Sequence, residues 1–290
     1  MKIAWVFPGQ GSQIVGMGVD LQETPIGQAK FEQAEDILGW SVLEKCQAQE
    51  TELSRTLYTQ PCLYVIESIL ADLLVQNGQL PDLVAGHSLG EYSALYAARS
   101  FDFTTGLELV KRRAELMDKA LGGKMAALMK FDRQQLEDAI AANADVVLAN
   151  DNSEEQVVIS GTPEGVDAIL AQVKAKRAVP LKVSGAFHSP FMTDAAQEFQ
   201  GLLDSCKFAD AKVPVLSNVD PTPTQSATML KERLMKQMTG SVRWREIMLC
   251  LPQEGITHGV EVGPGKVLTG LIKRTCPEIK LTNVGKMSEL

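Results

Sequence analysis

The chain has 290 residues, of which 45% are hydrophobic and 22% charged, and its 36 acidic side chains against 28 basic ones give a formal net charge of -8. This composition belongs to a folded globular protein and excludes a disordered or fibrous one. The longest basic cluster is only Lys111-Arg112-Arg113, too little to neutralise a run of phosphates, so nucleic acid is not expected as a partner.

In chain order, residues 3–7 are an apolar run too short for a signal-peptide core or a bilayer span, and they read as a buried strand. Helical periodicity follows over 28–38 and 60–77, then a strand over 82–85 and an amphipathic helix over 103–121 closed by Gly122-Gly123. Such alternation predicts a parallel sheet covered by helices. Between 124 and 184 the pattern changes to strand 125–129, helix 133–142, strands 146–149 and 156–160, helix 163–176 and strand 179–183. That βαββαβ order predicts an inserted ferredoxin-like unit. The first pattern then resumes with a helix over 190–203, a strand over 214–217, a helix over 227–238 and a strand over 259–262, with 219–224 as an exposed connection. The expected organisation is an α/β chain with a discontinuous large domain, 1–122 and 187–290, and an inserted subdomain, 123–186.

The five cysteines are scattered without a Cys-x-x-Cys pair, which supports neither a disulfide framework nor a zinc site and fits a reducing cytoplasm. No apolar run approaches the ~18 residues of a membrane span. The loop Phe7-Pro8-Gly9-Gln10-Gly11-Ser12-Gln13 is glycine-rich, yet it lacks the lysine and the spacing of a phosphate-cradling P-loop.

The sharpest chemical signal is Gly86-His87-Ser88-Leu89-Gly90, placed between the strand at 82–85 and a helical stretch at 91–98. A nucleophile elbow needs this context. Flanking glycines permit the tight turn, the serine hydroxyl projects from the sheet edge, and the helix N-terminus offers N–H groups to an oxyanion. A serine needs a base, and the chain has three histidines. His87 would point away from the elbow, and His258 sits just before a strand. His188 lies where the inserted unit returns to the large domain, over the expected cleft. Lys111, Arg112 and Arg113 read as one solvated helix face, a reading that helical spacing weakens because Arg113 shares a stripe with Leu109, Leu116 and Met117.

Four ordered motifs now stand together: Phe7 to Gln13, Gly86 to Leu95, Ala186 to Met192, and Glu261-Val262-Gly263-Pro264-Gly265-Lys266-Val267-Leu268. In that order, from about Ile3 to Leu271, the chain resembles the malonyl-CoA:acyl carrier protein transacylase family. The resemblance implies an α/β-hydrolase-like core with a ferredoxin-like insertion. It implies Ser88 as the acylated nucleophile, His188 as base oriented by a backbone carbonyl near Arg243, and the N–H groups of Gln10 and Leu89 as the oxyanion hole. Arg113 would pair with the free carboxylate of malonyl, Phe187 would crowd its α-carbon, and Gln60, His87, Met117 and Asn150 would line the pocket. Ala114, where the family commonly has glycine, and Ser241, where it often has proline, depart from the pattern.

The implied partners are malonyl-CoA and an acyl carrier protein bearing phosphopantetheine, with no metal, no further cofactor, no nucleic acid and no membrane. The protein is expected to be a cytoplasmic monomer. Competing readings are an acyl hydrolase acting on carrier proteins, against which Arg113 argues, and an inactive carrier-binding scaffold, against which Ser88 and His188 argue. The stretches Thr59 to Tyr64, Phe101 to Gly106 and Val267 to Leu271 look closer to free-standing acyltransferases of polyketide assembly than to those of fatty acid synthesis.

Overall fold

The computed structural model describes residues 1–183 and 185–290. Ser184, inside the expected insertion, lies outside the described residues. The chain begins with strand β1 (Ile3–Phe7), followed by α1 (Pro25–Leu38), the short α2 (Val42–Gln47) and α3 (Glu50–Leu53), and the long α4 (Thr56–Gln76). Next come β2 (Leu83–Gly86), α5 (Gly90–Ala97) and α6 (Phe103–Lys119). A second set comprises β3 (Lys124–Phe131), α7 (Arg133–Ala141), β4 (Val146–Ser153), β5 (Gln156–Gly161), α8 (Pro163–Gln172) and β6 (Ala175–Pro180). The chain closes with α9 (Thr193–Ser205), β7 (Val215–Leu216), α10 (Ala227–Gln237), α11 (Trp244–Gln253), β8 (His258–Val262), α12 (Val267–Thr275) and β9 (Lys280–Val284).

Two sheets result. The larger has the order β7-β2-β1-β8-β9 and every described pairing in it is parallel. Its strands β1 and β2 are apolar throughout because helices cover both faces. On β1, Trp5 and Phe7 enter one core cluster while Ala4 and Val6 enter another, as the two-residue repeat of a strand requires. The smaller sheet, β4-β5-β3-β6, is antiparallel. One of its faces packs under α7 and α8 around Leu128, Leu136, Ile159 and Ile169. Its other face sends Met125, Ala127, Ala149 and Val158 into the main core, which sets the sheet against the larger unit and leaves a cleft between them.

Two sequence expectations shift. The helix read over 163–176 stops at Gln172, and the strand read over 179–183 is β6, which starts four residues earlier and ends three earlier. Val173 turns extended, with φ -88 and ψ 125, and buries itself in the small core, so the chain leaves the helix there. Strand β6 is an edge strand paired only with β3, exposed and carrying Lys176 and Arg177, without the apolar alternation by which strands are read. Further, His258 is the first residue of β8 rather than a residue before it, with its Nδ1 3.0 Å from Thr257 Oγ1.

Candidate active site

In the larger sheet, loops leaving the C-terminal ends of β1, β2 and β7 meet, the place where open parallel sheets bind ligands. Here β2 ends at Gly86 and α5 begins at Gly90, so only His87, Ser88 and Leu89 make the turn. The turn is tight enough that a methyl group on Gly86 would collide with the backbone of Gly90, and one on Gly90 with the backbone of Phe7. Ser88 takes φ 51, a left-handed conformation that costs a non-glycine residue about 1 kcal/mol or more.

That strain is held from both sides. The Ser88 N–H donates to Asn218 Oδ1 at 2.7 Å, and Asn218 Nδ2 donates to Gly86 O at 2.6 Å, closing a clamp across the turn. Gln237 Nε2 donates to Ser88 O at 2.8 Å and to Glu91 Oε2 at 2.8 Å, and the Asn218 N–H also reaches Glu91 Oε2. Burial pushes the Glu91 carboxyl upward from its ordinary pKa, while Gln237, Asn218 and Arg113 pull it back.

Around the hydroxyl the arrangement is compact. Ser88 Oγ lies 2.7 Å from His188 Nε2 and accepts from Arg113 Nη2 at 3.1 Å. His188 Nδ1 faces two backbone carbonyls, Gln237 O at 3.0 Å and Gly240 O at 3.2 Å. With carbonyls there, Nδ1 carries the proton and Nε2 is free to accept one. Burial first, and the Arg113 charge second, push the imidazole down to about 3, so it is neutral at neutral pH.

The orienting carbonyls are therefore backbone groups, as expected, but they belong to Gln237 and Gly240 and not to the stretch at Arg243. Gln237 ends α10, where helix carbonyls lack partners within the helix and are free to accept from outside. Arg243 instead donates its N–H to Asn218 O and its guanidinium to Glu246. Ser241 does not disturb this loop: its hydroxyl donates to Ala149 O, and Val242 exchanges backbone bonds with Ala149 and Asp151 of β4. Ala114 is fully buried in an unbroken α6.

Arg113 is 1% exposed. Its Nη1 donates to Gln60 Oε1 at 2.6 Å and its Nη2 to Gln237 Oε1 at 3.1 Å, while its Nε has no partner among the described residues. Its hydrogen-bond partners are thus neutral oxygens, and the Tyr92 ring lies 5.5 Å from its Cζ. Gln60 is turned by its other end, Nε2 meeting Met117 Sδ at 3.3 Å.

One cavity of about 390 Å³ collects the sequence-derived residues: Gln10, Gln60, His87, Ser88, Leu89, Arg113, Met117, Asn150, Phe187 and His188 all line it. His87 points off the elbow, its Nε2 2.7 Å from Asn152 Oδ1 and its ring edge-on to Trp244. The backbone N–H groups of Gln10 and Leu89 have no protein acceptor among the described residues. Sequence reasoning missed Asn218, Gln237 and Glu91. Only Glu91 carried a signal, as an acid at the start of a helix whose neighbours are all apolar or small.

A half-buried serine whose hydroxyl meets a buried imidazole and a buried guanidinium has the makings of a nucleophile with a base and an anion site within reach. The model of the acyl transferase domain matches residues 4–289. A malonyl CoA-acyl carrier protein transacylase of Synechocystis is 67% identical over 290 residues, covering 100% of this chain and 99% of that protein. The chain belongs to the malonyl CoA-acyl carrier protein transacylase family. The crystal structure of a Synechocystis member superposes with a TM-score of 0.99 over 100% of this chain and 99% of that one. A polyketide biosynthesis member from Bacillus velezensis is 43% identical, covering 94% of this chain and 96% of that protein. A family member solved with a type II polyketide synthase acyl-carrier protein superposes with a TM-score of 0.93 at 37% identity, covering 100% and 97%.

Proposed function

We propose that the protein takes malonyl from coenzyme A, holds it as an ester on Ser88, and passes it to the phosphopantetheine thiol of an acyl carrier protein. The observation that carries this reading is one oxygen, Ser88 Oγ, shared between a neutral imidazole and a buried guanidinium whose partners are uncharged. Ser88 Oγ attacks the thioester carbonyl and its proton passes to His188 Nε2. The carbon–sulfur bond breaks and the coenzyme A sulfur leaves with that proton. In the second half the carrier thiol gives its proton to His188, its sulfur attacks the ester carbonyl, and Ser88 leaves as the alcohol. Both tetrahedral oxyanions sit against the N–H groups of Leu89 and Gln10, where losing one donor costs about 3 kcal/mol of transition-state stabilisation.

Arg113 recognises the distal carboxylate, which a planar guanidinium meets with two parallel hydrogen bonds. A hydrolase of general acyl chains has no use for such a group. The 67% identity to a relative named as a plain transacylase, against 43% to one named for polyketide biosynthesis, favours general malonyl supply over the polyketide leaning of the local motifs.

The same reading takes 1–122 and 187–290 as an α/β-hydrolase-like unit and 123–186 as a ferredoxin-like insertion, supported by the five-stranded parallel order and by the β4-β5-β3-β6 order of the smaller sheet. A cytoplasmic setting agrees with the scattered cysteines, and no described helix is long and apolar enough to cross a membrane. The test is to mix the protein with malonyl-CoA and a phosphopantetheinylated carrier protein: the carrier should gain a malonyl mass well before free malonate accumulates. Malonate release that outruns transfer would return the hydrolase reading.

A further inference from the structure

Resting on the reading of Arg113 as the carboxylate receptor, the wiring behind that residue says how its charge is kept available. A buried guanidinium attracts any carboxylate nearby, and an ion pair formed within the protein would spend the charge before substrate arrives. Such a carboxyl is present. Glu91, one turn beyond Ser88 and fully buried, is tied to the same Gln237 side chain that meets Arg113. Between them stands one amide: Gln237 Nε2 donates to Glu91 Oε2 at 2.8 Å, and Gln237 Oε1 accepts from Arg113 Nη2 at 3.1 Å.

The orientation of that amide has no alternative. Turned over, its NH2 group would face the guanidinium and its carbonyl would face Ser88 O and the Glu91 carboxyl, replacing three hydrogen bonds by three repulsions. We propose that the Gln237 side chain is a neutral spacer that keeps Glu91 from pairing with Arg113, and so is a specificity-determining residue for acyl groups ending in a carboxylate. Its amide touches no substrate. It positions the charge that does.

The test compares kcat/KM for malonyl-CoA and acetyl-CoA, which differ by the carboxylate alone. Gln237→Glu sets a carboxylate directly on Arg113, and the malonyl-to-acetyl ratio should fall by about 100-fold or more, as expected when a buried cation is already paired. Gln237→Met, of similar length but without charge or hydrogen bonds, should slow both substrates together and change the ratio by less than about tenfold. A Gln237→Glu protein with the wild-type ratio, or a Gln237→Met protein whose ratio collapses as far, would overturn the spacer. Arg113→Ala separates the two levels: loss of the malonyl preference supports the receptor, whereas a preference that survives refutes the reading of Arg113 itself, whatever the Gln237 variants do.

Discussion

Arg113 Nη2 and His188 Nε2 both reach one oxygen, lying 3.1 Å and 2.7 Å from Ser88 Oγ. In the proposed reaction the cation would stabilise the serine as it loses its proton, and in the resting site its charge, after burial, helps hold the neighbouring imidazole neutral. Both effects arise from one placement among buried groups, where charges act strongly on each other.

A distinctive pH profile is the first consequence of that placement. His188 works as a base only when neutral, so activity is present above its folded pKa and lost as pH falls through it. With the imidazole pushed down from 6.5 to about 3, the acid limb of kcat/KM should lie well below the ordinary histidine range. Removing the charge in Arg113→Met should move that limb upward, because Arg113 is the second cause of the depression after burial. Stopped-flow loading rates from about pH 4.5 to 8 test this, and a wild-type limb near 6.5 would contradict it.

The clamp across the elbow makes a separate prediction. Asn218→Ala strips the acceptor from the Ser88 N–H and the donor from Gly86 O, and each buried group left unpaired costs about 1–3 kcal/mol. The urea midpoint should fall, and kcat should drop by about tenfold or more because the strained serine is no longer held. An Asn218→Ala protein with wild-type kcat would show that Gln237 alone fixes the nucleophile.

Gly86→Ala should be worse for folding than for chemistry. The added methyl has no space against the Gly90 backbone, which belongs to a helix start that cannot retreat. A loss of about 3 kcal/mol or more is expected in denaturant unfolding, at the upper end for overpacked sites. A soluble variant with an unchanged midpoint would mean that the elbow can open to make room.

Phe187 is 5% exposed and lines the cavity beside His188. Shortening it in Phe187→Val should admit a branch at the acyl α-carbon, raising the methylmalonyl-to-malonyl ratio by about 10- to 100-fold, the reach of a steric filter worth 1–3 kcal/mol. Competition between the two thioesters, read by mass on the protein, checks it. No change in the ratio would remove Phe187 from substrate choice.

Legibility in the sequence divides along physical lines. The elbow was legible because its requirements are local: a strand, two small residues around the serine, and a helix within a few positions. Arg113 and His188 became legible through the ordered motifs. Asn218 and Gln237 were not, because they act from the loop after β7 and from the end of α10 across more than a hundred residues of chain, and a polar amide carries no mark of being buried. Of the carbonyls that face His188, Gly240 O adjoins the expected stretch and Gln237 O was not foreseen, since any backbone can supply such a group. In the fold, α2, α3, α11, α12 and β9 went unread, and the exposed, charged β6 was displaced because it lacks the apolar alternation of a half-buried strand.

The most direct measurement is peptide-level mass spectrometry after brief incubation with malonyl-CoA. A malonyl ester should appear on the peptide containing Ser88, vanish when carrier protein with its phosphopantetheine arm is added, and be absent from Ser88→Ala. Malonyl found on another residue, or an undiminished label in the presence of carrier protein, would contradict the account.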